Sequence, residues 1–213
     1  MTVVGAQLIA AAGPGTAGTP GAPAEADARA SRRGDPASFE ALVHEYQDRV
    51  YDFCVRMLGD REEALELVQE IFVSVYQALP SFRFDSKVST WIYRIGKNHC
   101  LNRLKYLQRR GRGRSDGLEG VPEEALLDAA GAPPRPDEAL QAEHERALVQ
   151  RAISRLEPDQ RALVAFRDIE GLSYEEMVEV TGLPLGTVKS RLHRAREKLS
   201  EYLCDEVPEG ERG

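Results

Sequence analysis

The chain has 213 residues, of which 42% are hydrophobic and 30% charged, with a formal net charge of −7. That length fits one or two domains with real cores. No run approaches the ~20 apolar residues of a membrane span. Cys54, Cys100 and Cys204 are odd in number, far apart and without C-x-x-C or paired Cys/His spacing, which excludes a zinc site of the usual kind and makes a reducing, cytoplasmic setting the natural one.

Met1 to Asp35 is rich in Ala, Gly, Pro and Thr without helical or strand period, so residues 1–35 are expected to stay disordered. The start lacks the basic leader of a secretory signal. From Pro36 to Arg110 the pattern is helical. Phe39, Leu42, Val43, Tyr46, Val50, Phe53, Cys54 and Met57 recur at i, i+3, i+4, i+7 and predict one apolar stripe. Gly59 ends that helix and Asp60 caps the next, which carries Ala64, Val68, Ile71, Phe72, Val75 and Leu79 and stops near Pro80. A loop, SFRFDSKVS, leads to STWIYRIGKNHCLNRLKYLQRR, a third helix that Ser89 or Thr90 could cap and whose Ile92, Ile95 and Leu104 can face inward.

Residues 111–140 form an acidic, Gly/Pro-rich linker in which Pro122, Pro133, Pro134 and Pro136 bar any long helix. A second domain follows over 141–204, with helical segments Ala147 to Leu156, Pro158 to Asp168, Ser173 to Thr181 and Leu185 to Leu203. Leu148, Ile153, Leu156, Leu163, Val164, Met177, Val180, Val188, Leu192 and Leu199 are its expected core. Residues 205–213 read as a disordered tail. Nothing alternates with period two, so the fold class is all-α: two small helical domains on a flexible linker.

Charge is distributed unevenly. Ser173-Tyr-Glu-Glu176 has the form of a capping box. After it come Thr181-Gly-Leu-Pro-Leu-Gly186 and a basic helix, so the unit reads as a helix-turn-helix, the second helix of which enters a major groove. Val188, Leu192, Ala195 and Leu199 form its inward stripe. Thr187, Lys189, Ser190, Arg191, His193, Arg194 and Arg196 are the candidate DNA contacts, because Arg and Lys can pair with guanine edges and phosphates while hydroxyls donate to phosphate. Charge alone would equally describe a solvated surface helix; the cap and glycine turn favour DNA.

A second basic surface runs from Lys87 to Arg114, interleaved with Trp91, Tyr93, His99 and Tyr106. Its basic groups suit phosphate and the preceding loop suits an unstacked base; Trp91 itself reads as core. In contrast, acidic residues from Glu40 to Glu70 outnumber Arg49, Arg56 and Arg61 on the first two helices, which suits a basic protein partner or plain solubility.

STWIYRIGKN, ELVQEIF on the helix before it, and GLSYEEMVEVTGLPLGTVKSRLHRAREKL resemble the bacterial extracytoplasmic-function (ECF) sigma factors over about Phe39 to Arg110 and Ala147 to Leu203. The resemblance implies docking on core RNA polymerase and recognition of promoter DNA, with the first domain at the −10 element and the second at the −35 element. It implies polymerase contacts at Leu65, Glu66, Gln69 and Glu70. It implies −10 contacts at Ser81, Phe82, Arg83, Phe84, Asp85, Ser86, Lys87, Asn98, Arg103, Lys105, Arg109 and Arg110, and −35 contacts on the basic helix. It also implies an anti-sigma factor partner; the residues themselves give no sign of a cofactor, metal or small-molecule substrate. Gly96 inside a helix and Pro184 before the basic helix depart from the usual pattern without breaking a motif.

The scattered His44, His99, His144 and His193 and the lack of a Gly-rich phosphate loop leave no catalytic constellation. The rival readings are a DNA-binding regulator that finds its operator unaided and a helical adaptor without a DNA role.

Overall fold

The computed structural model describes residues 22–111 and 146–206. The linker proper, the first twenty-one residues and the end of the expected tail lie outside the described residues. Among the described residues every regular element is helical.

Helix α1 spans Ala22–Arg32, where the composition predicted disorder. The reason is a stripe of small residues: Ala24, Ala28 and Ser31 are buried at i, i+4, i+7 spacing, a helix face without any large apolar side chain. Gly34, at φ 92°, turns the chain back, and α1 packs along α2, Pro36–Leu58. Asp35 caps α2 by accepting from Ala37 N–H at 3.3 Å, and Pro36 occupies the first turn, where its missing N–H costs nothing.

Helix α2 buries Leu42, Tyr46, Val50, Phe53, Cys54 and Met57, with Phe39 and Val43 half-buried at the edge of the predicted stripe. Gly59 ends it in the left-handed conformation and Asp60 accepts from Glu63 N–H at 3.0 Å to start α3, Arg61–Ala78. Helix α3 buries Ala64, Leu67, Ile71, Phe72 and Val75. Its 3₁₀ exit, Leu79–Ser81, carries Pro80.

Helix α4, Val88–Gly111, is capped differently from the expectation. Ser89 and Thr90 lie inside it and Thr90 is buried, so neither is the cap. The acceptor for Val88 N–H is the Glu25 carboxylate at 2.8 Å, brought from α1. An acid there also complements the positive helix terminus. Gly96 is buried in this helix. A Cβ on it would sit at an ordinary 3.8 Å from Ile71 Cδ1 and 3.9 Å from Phe53 Cδ1, with no backbone in the way. Gly96→Ala should therefore raise stability by about 0.5–1 kcal/mol in urea unfolding, since helical Gly is penalised by that much.

Cys54 and Cys100 meet inside this domain with sulfurs 3.8 Å apart. The hydrogen bond to Cys100, then burial, pushes the Cys54 thiol up, so it stays protonated and unreactive.

In the second domain, α5 covers 146–154 and α6 covers Pro158–Val164 before widening into a π-helical turn, Ala165–Ile169. Helices α7, Tyr174–Thr181, and α8, Leu185–Glu206, complete it. All ten residues assigned to its core are buried. Helix α8 runs past Leu203 into the stretch expected to be disordered, with Leu203 buried and Arg155 paired to Asp205 at 3.2 Å.

The two domains pack on each other, chiefly α7 on α4 and α6 on α2. Phe53 and Phe166 stack at 4.8 Å, and Tyr93 meets both rings edge-on. The carbonyls that end α2 find partners across the boundary: Gln150 Nε2 donates to Val55 O at 3.2 Å, and Arg161 donates to Met57 O. Helix-end carbonyls need such donors when covered.

Candidate nucleic-acid interface

The helix-turn-helix is built from its caps outward. Ser173 Oγ accepts from Glu176 N–H at 3.1 Å, and the Glu176 carboxylate accepts from Ser173 N–H at 2.7 Å. Gly182, at φ 70°, closes α7 and turns the chain, and Pro184 O accepts the N–H groups of Thr187 and Val188. Ser173→Ala should cost about 1 kcal/mol of stability, the usual loss for an N-cap, measurable as a lowered midpoint in thermal unfolding.

Val188, Leu192, Ala195 and Leu199 are buried, as the periodicity predicts. That fixes the rotation of α8, and Lys189, Ser190, His193 and Arg194 emerge together on its exposed side. Thr187 and Arg191 are half-buried at the flanks. Arg196 is placed apart from them: it forks onto the Asp168 carboxylate, with Nε at 3.0 Å. This hydrogen bond is the first cause that holds its pKa above the ordinary value.

On α4, Arg94, Asn98, Asn102, Lys105 and Arg109 are exposed at spacings of four, four, three and four, so they line one face. Arg110 lies just beside it. Asn102 was not singled out from sequence, since an Asn within a basic run carries no signal of its own. Arg103 is turned the other way and pairs with Glu63, Glu66 at 3.4 Å and Glu70 at 2.7 Å on α3. Its guanidinium is thus engaged within the domain, and so are two of the acids assigned to a polymerase contact. Lys97 is half-buried and donates to Val180 O at 3.1 Å, which joins α4 to α7.

The loop between α3 and α4 is held by aromatic stacking. Phe82 lies 4.4 Å from the Trp91 ring in parallel, and Phe84 tilts against Phe82 at 4.5 Å. Phe82 and Trp91 are buried, which leaves Arg83, Asp85 and Lys87 outside, with Phe84 and Ser86 half-exposed. Lys87 reaches Glu176 of α7 at 2.8 Å. That bond raises the Lys87 pKa.

On α3, Leu65 is 55% exposed and Val73 56% exposed. With Gln69 between them at four-residue steps, they make an apolar strip on the outer face, bordered by Glu66 and Glu70. Val73 was not assigned from sequence, where an apolar residue is read as core.

Residues 42–110 match the family model described as Sigma-70 region 2, and residues 146–199 match Sigma-70, region 4. The RNA polymerase sigma-H factor of Pseudomonas aeruginosa is 37% identical over 181 residues, covering 81% of this chain and 89% of the relative. The chain belongs to the ECF sigma factors. SigW of Bacillus subtilis, an ECF RNA polymerase sigma factor, is 33% identical over 180 residues, covering 82% and 93%. The ECF sigma-E factor of Escherichia coli is 36% identical over 171 residues, covering 79% and 87%. The fold is similar to CnrH, solved in complex with the cytosolic domain of CnrY, at a TM-score of 0.63 and 21% identity, covering 87% of this chain and 100% of that one. RpoE of Bartonella quintana, solved with the anti-sigma factor NepR, gives a TM-score of 0.57 at 23% identity, covering 78% and 96%.

As a sigma factor, the chain is a transcription initiation factor that acts with core RNA polymerase on promoter DNA. No described helix is long and apolar enough to cross a membrane.

Proposed function

We propose that this sigma factor divides its work among three surfaces. The outer strip of α3, with Leu65, Glu66, Gln69, Glu70 and Val73, docks on core polymerase. The loop from Ser81 to Val88 and the α4 face bearing Asn98, Lys105 and Arg109 hold the opened −10 strand. The outward side of α8, with Lys189, Ser190, His193 and Arg194, reads the −35 element. The observation that carries this reading is the fixed rotation of α8: its apolar stripe is buried, so four groups able to bond base edges and phosphates are among those left facing out.

The two DNA grips also have to separate. Elements named −10 and −35 lie about 85 Å apart at ~3.4 Å per base pair, whereas a compact body of about 150 residues is only about 40 Å across. The packed arrangement is therefore the form of the free chain, and polymerase holds the domains apart. Each contact is weak alone; fixing their spacing makes them act together. The chain works in the cytoplasm, and an anti-sigma factor, the kind of partner seen with RpoE, holds it inactive.

Run-off transcription on genomic DNA with core polymerase, with and without this protein, is the test. Specific transcripts are expected only from the mixture. Arg194→Ala should cost about 1–3 kcal/mol of discrimination at one −35 base pair, read from competing templates, whereas Asn98→Ala should impair −10 use. Footprinting of promoters by the protein alone, at equal affinity, would favour the regulator reading instead.

A further inference from the structure

Helix α1 brings a group of basic residues to the edge of the −10 loop. Arg29, Arg32 and Arg33 are all exposed, and together with Phe84 they line an open cavity of ≈ 330 Å³. The Arg29 guanidinium lies 4.1 Å over the Phe84 ring and that of Arg32 lies 5.9 Å from it. Neither is held by a carboxylate in an ion pair among the described residues; Arg33 feels the charge of Asp35 at the turn.

Phe84 is the one described non-glycine residue with positive φ, at 59°. A left-handed aromatic residue is a strained choice, found where surrounding contacts enforce it and often where function uses it. Here the enforcing contacts are Phe82 on one side and Arg29 on the other. The Glu25 bond to Val88 N–H fixes α1 to the base of the same loop, so the three guanidiniums are held in place beside it.

We propose that Arg29, Arg32, Arg33 and Phe84 form a binding site for single-stranded DNA, the arginines taking a backbone phosphate and the ring edge taking the adjoining nucleotide as the strand leaves the −10 loop. The site rests on the −10 reading of that loop and extends it into a helix that lies outside the matched family region, residues 42–110. Guanidiniums suit phosphate through paired N–H donors, and because Phe82 and Arg29 cover the two sides of the Phe84 ring, its edge, the positive part of the ring quadrupole, is what meets the nucleotide. The cavity is at the small end of ligand sites, which run about 300–1,000 Å³, and so has room for one nucleotide unit. An acidic protein segment would match the charge but has no use for the ring.

The test is fluorescence anisotropy of a short, labelled, random-sequence single-stranded DNA pool against holoenzyme rebuilt from core polymerase and the full chain, over a series of salt concentrations. Core polymerase alone is the baseline. The triple variant Arg29→Gln, Arg32→Gln, Arg33→Gln should bind the pool roughly tenfold more weakly, as loss of one charge-assisted hydrogen bond implies. Its plot of log affinity against log salt should be shallower by about 0.7 for each phosphate that the variant no longer neutralises. The matching Lys variant should keep the wild-type slope. If wild-type holoenzyme exceeds core alone but the Gln variant equals wild type, the site is absent while the −10 reading stands. Equal weakening by Gln and Lys variants with the slope unchanged would mean that the arginines only brace Phe84, which overturns the proposal. Weakened assembly with core polymerase and unchanged DNA binding would assign the surface to an acidic protein and overturn it as well. Should wild-type holoenzyme bind no better than core alone, the −10 reading itself fails, and this site with it.

Discussion

Replacing Glu170 by Ala is expected to open the free chain without unfolding either domain. The Glu170 side chain is 1% exposed and Arg49 10%, and Arg49 reaches Oε2 with Nη2 at 3.1 Å and Nε at 3.3 Å. The Tyr93 hydroxyl donates to the same oxygen. Burial works against the Arg49 charge, but Tyr93 and Glu170 outweigh it and hold its pKa above the ordinary value. Burial, then the Glu170 carboxylate, pushes the Tyr93 phenol up, so it remains a donor. Removing the acceptor leaves a charge and a hydroxyl buried without it, a loss of about 3–5 kcal/mol for a broken buried pair. Water can relieve that loss if the domains part, because Arg49 and Tyr93 belong to one domain and Glu170 to the other. Small-angle scattering should then give a larger radius of gyration, and calorimetry should resolve two transitions in place of a shared one. Glu170→Gln, which keeps an acceptor without the charge, should fall between. A compact scattering profile and unchanged unfolding for Glu170→Ala would show that the aromatic stack and the helix-end bonds suffice to hold the domains together.

This latch is the part of the molecule least legible in the sequence. Arg49 read as a basic exception on an acidic helix, Tyr93 as one aromatic in a basic run, and Glu170 as nothing in particular. Their meeting depends on a separation of 121 residues and on the π turn that redirects the chain at Ile169. Periodicity reports which face of a helix is buried, not what covers it. For the same reason it found the interior of α2 and α8 and most of that of α3, where Leu67 is buried and the expected Val68 only half-buried, and the capping box could be read because its signal is local. It missed α1, whose buried face is alanine and serine, and the Glu25 cap, which arrives from another helix. Arg103 has the same origin: within the sequence it belongs to a basic segment, and only the fold places three acids around it.

Trp91→Ala is expected to produce the second large effect, and its form separates two roles for this residue. Trp91 is 5% exposed and stacks on Phe82, which supports Phe84, which in turn carries Arg29. Truncating a buried aromatic of this size costs about 3–5 kcal/mol through lost transfer energy and the cavity left behind. The loss should appear in urea unfolding of the first domain. Because the next ring in the stack loses its support, run-off transcription should fall together with stability. Binding of duplex −35 DNA to holoenzyme should change far less, since α8 has its own core. Trp91→Phe keeps a ring against Phe82 and should recover most of both activity and stability. A base-stacking platform would behave otherwise: it would be accessible to DNA, Trp91→Ala would abolish −10 use, and unfolding would be nearly unaffected. The burial of Trp91 and its parallel contact with Phe82 place it beneath the loop, so the two measurements should move together.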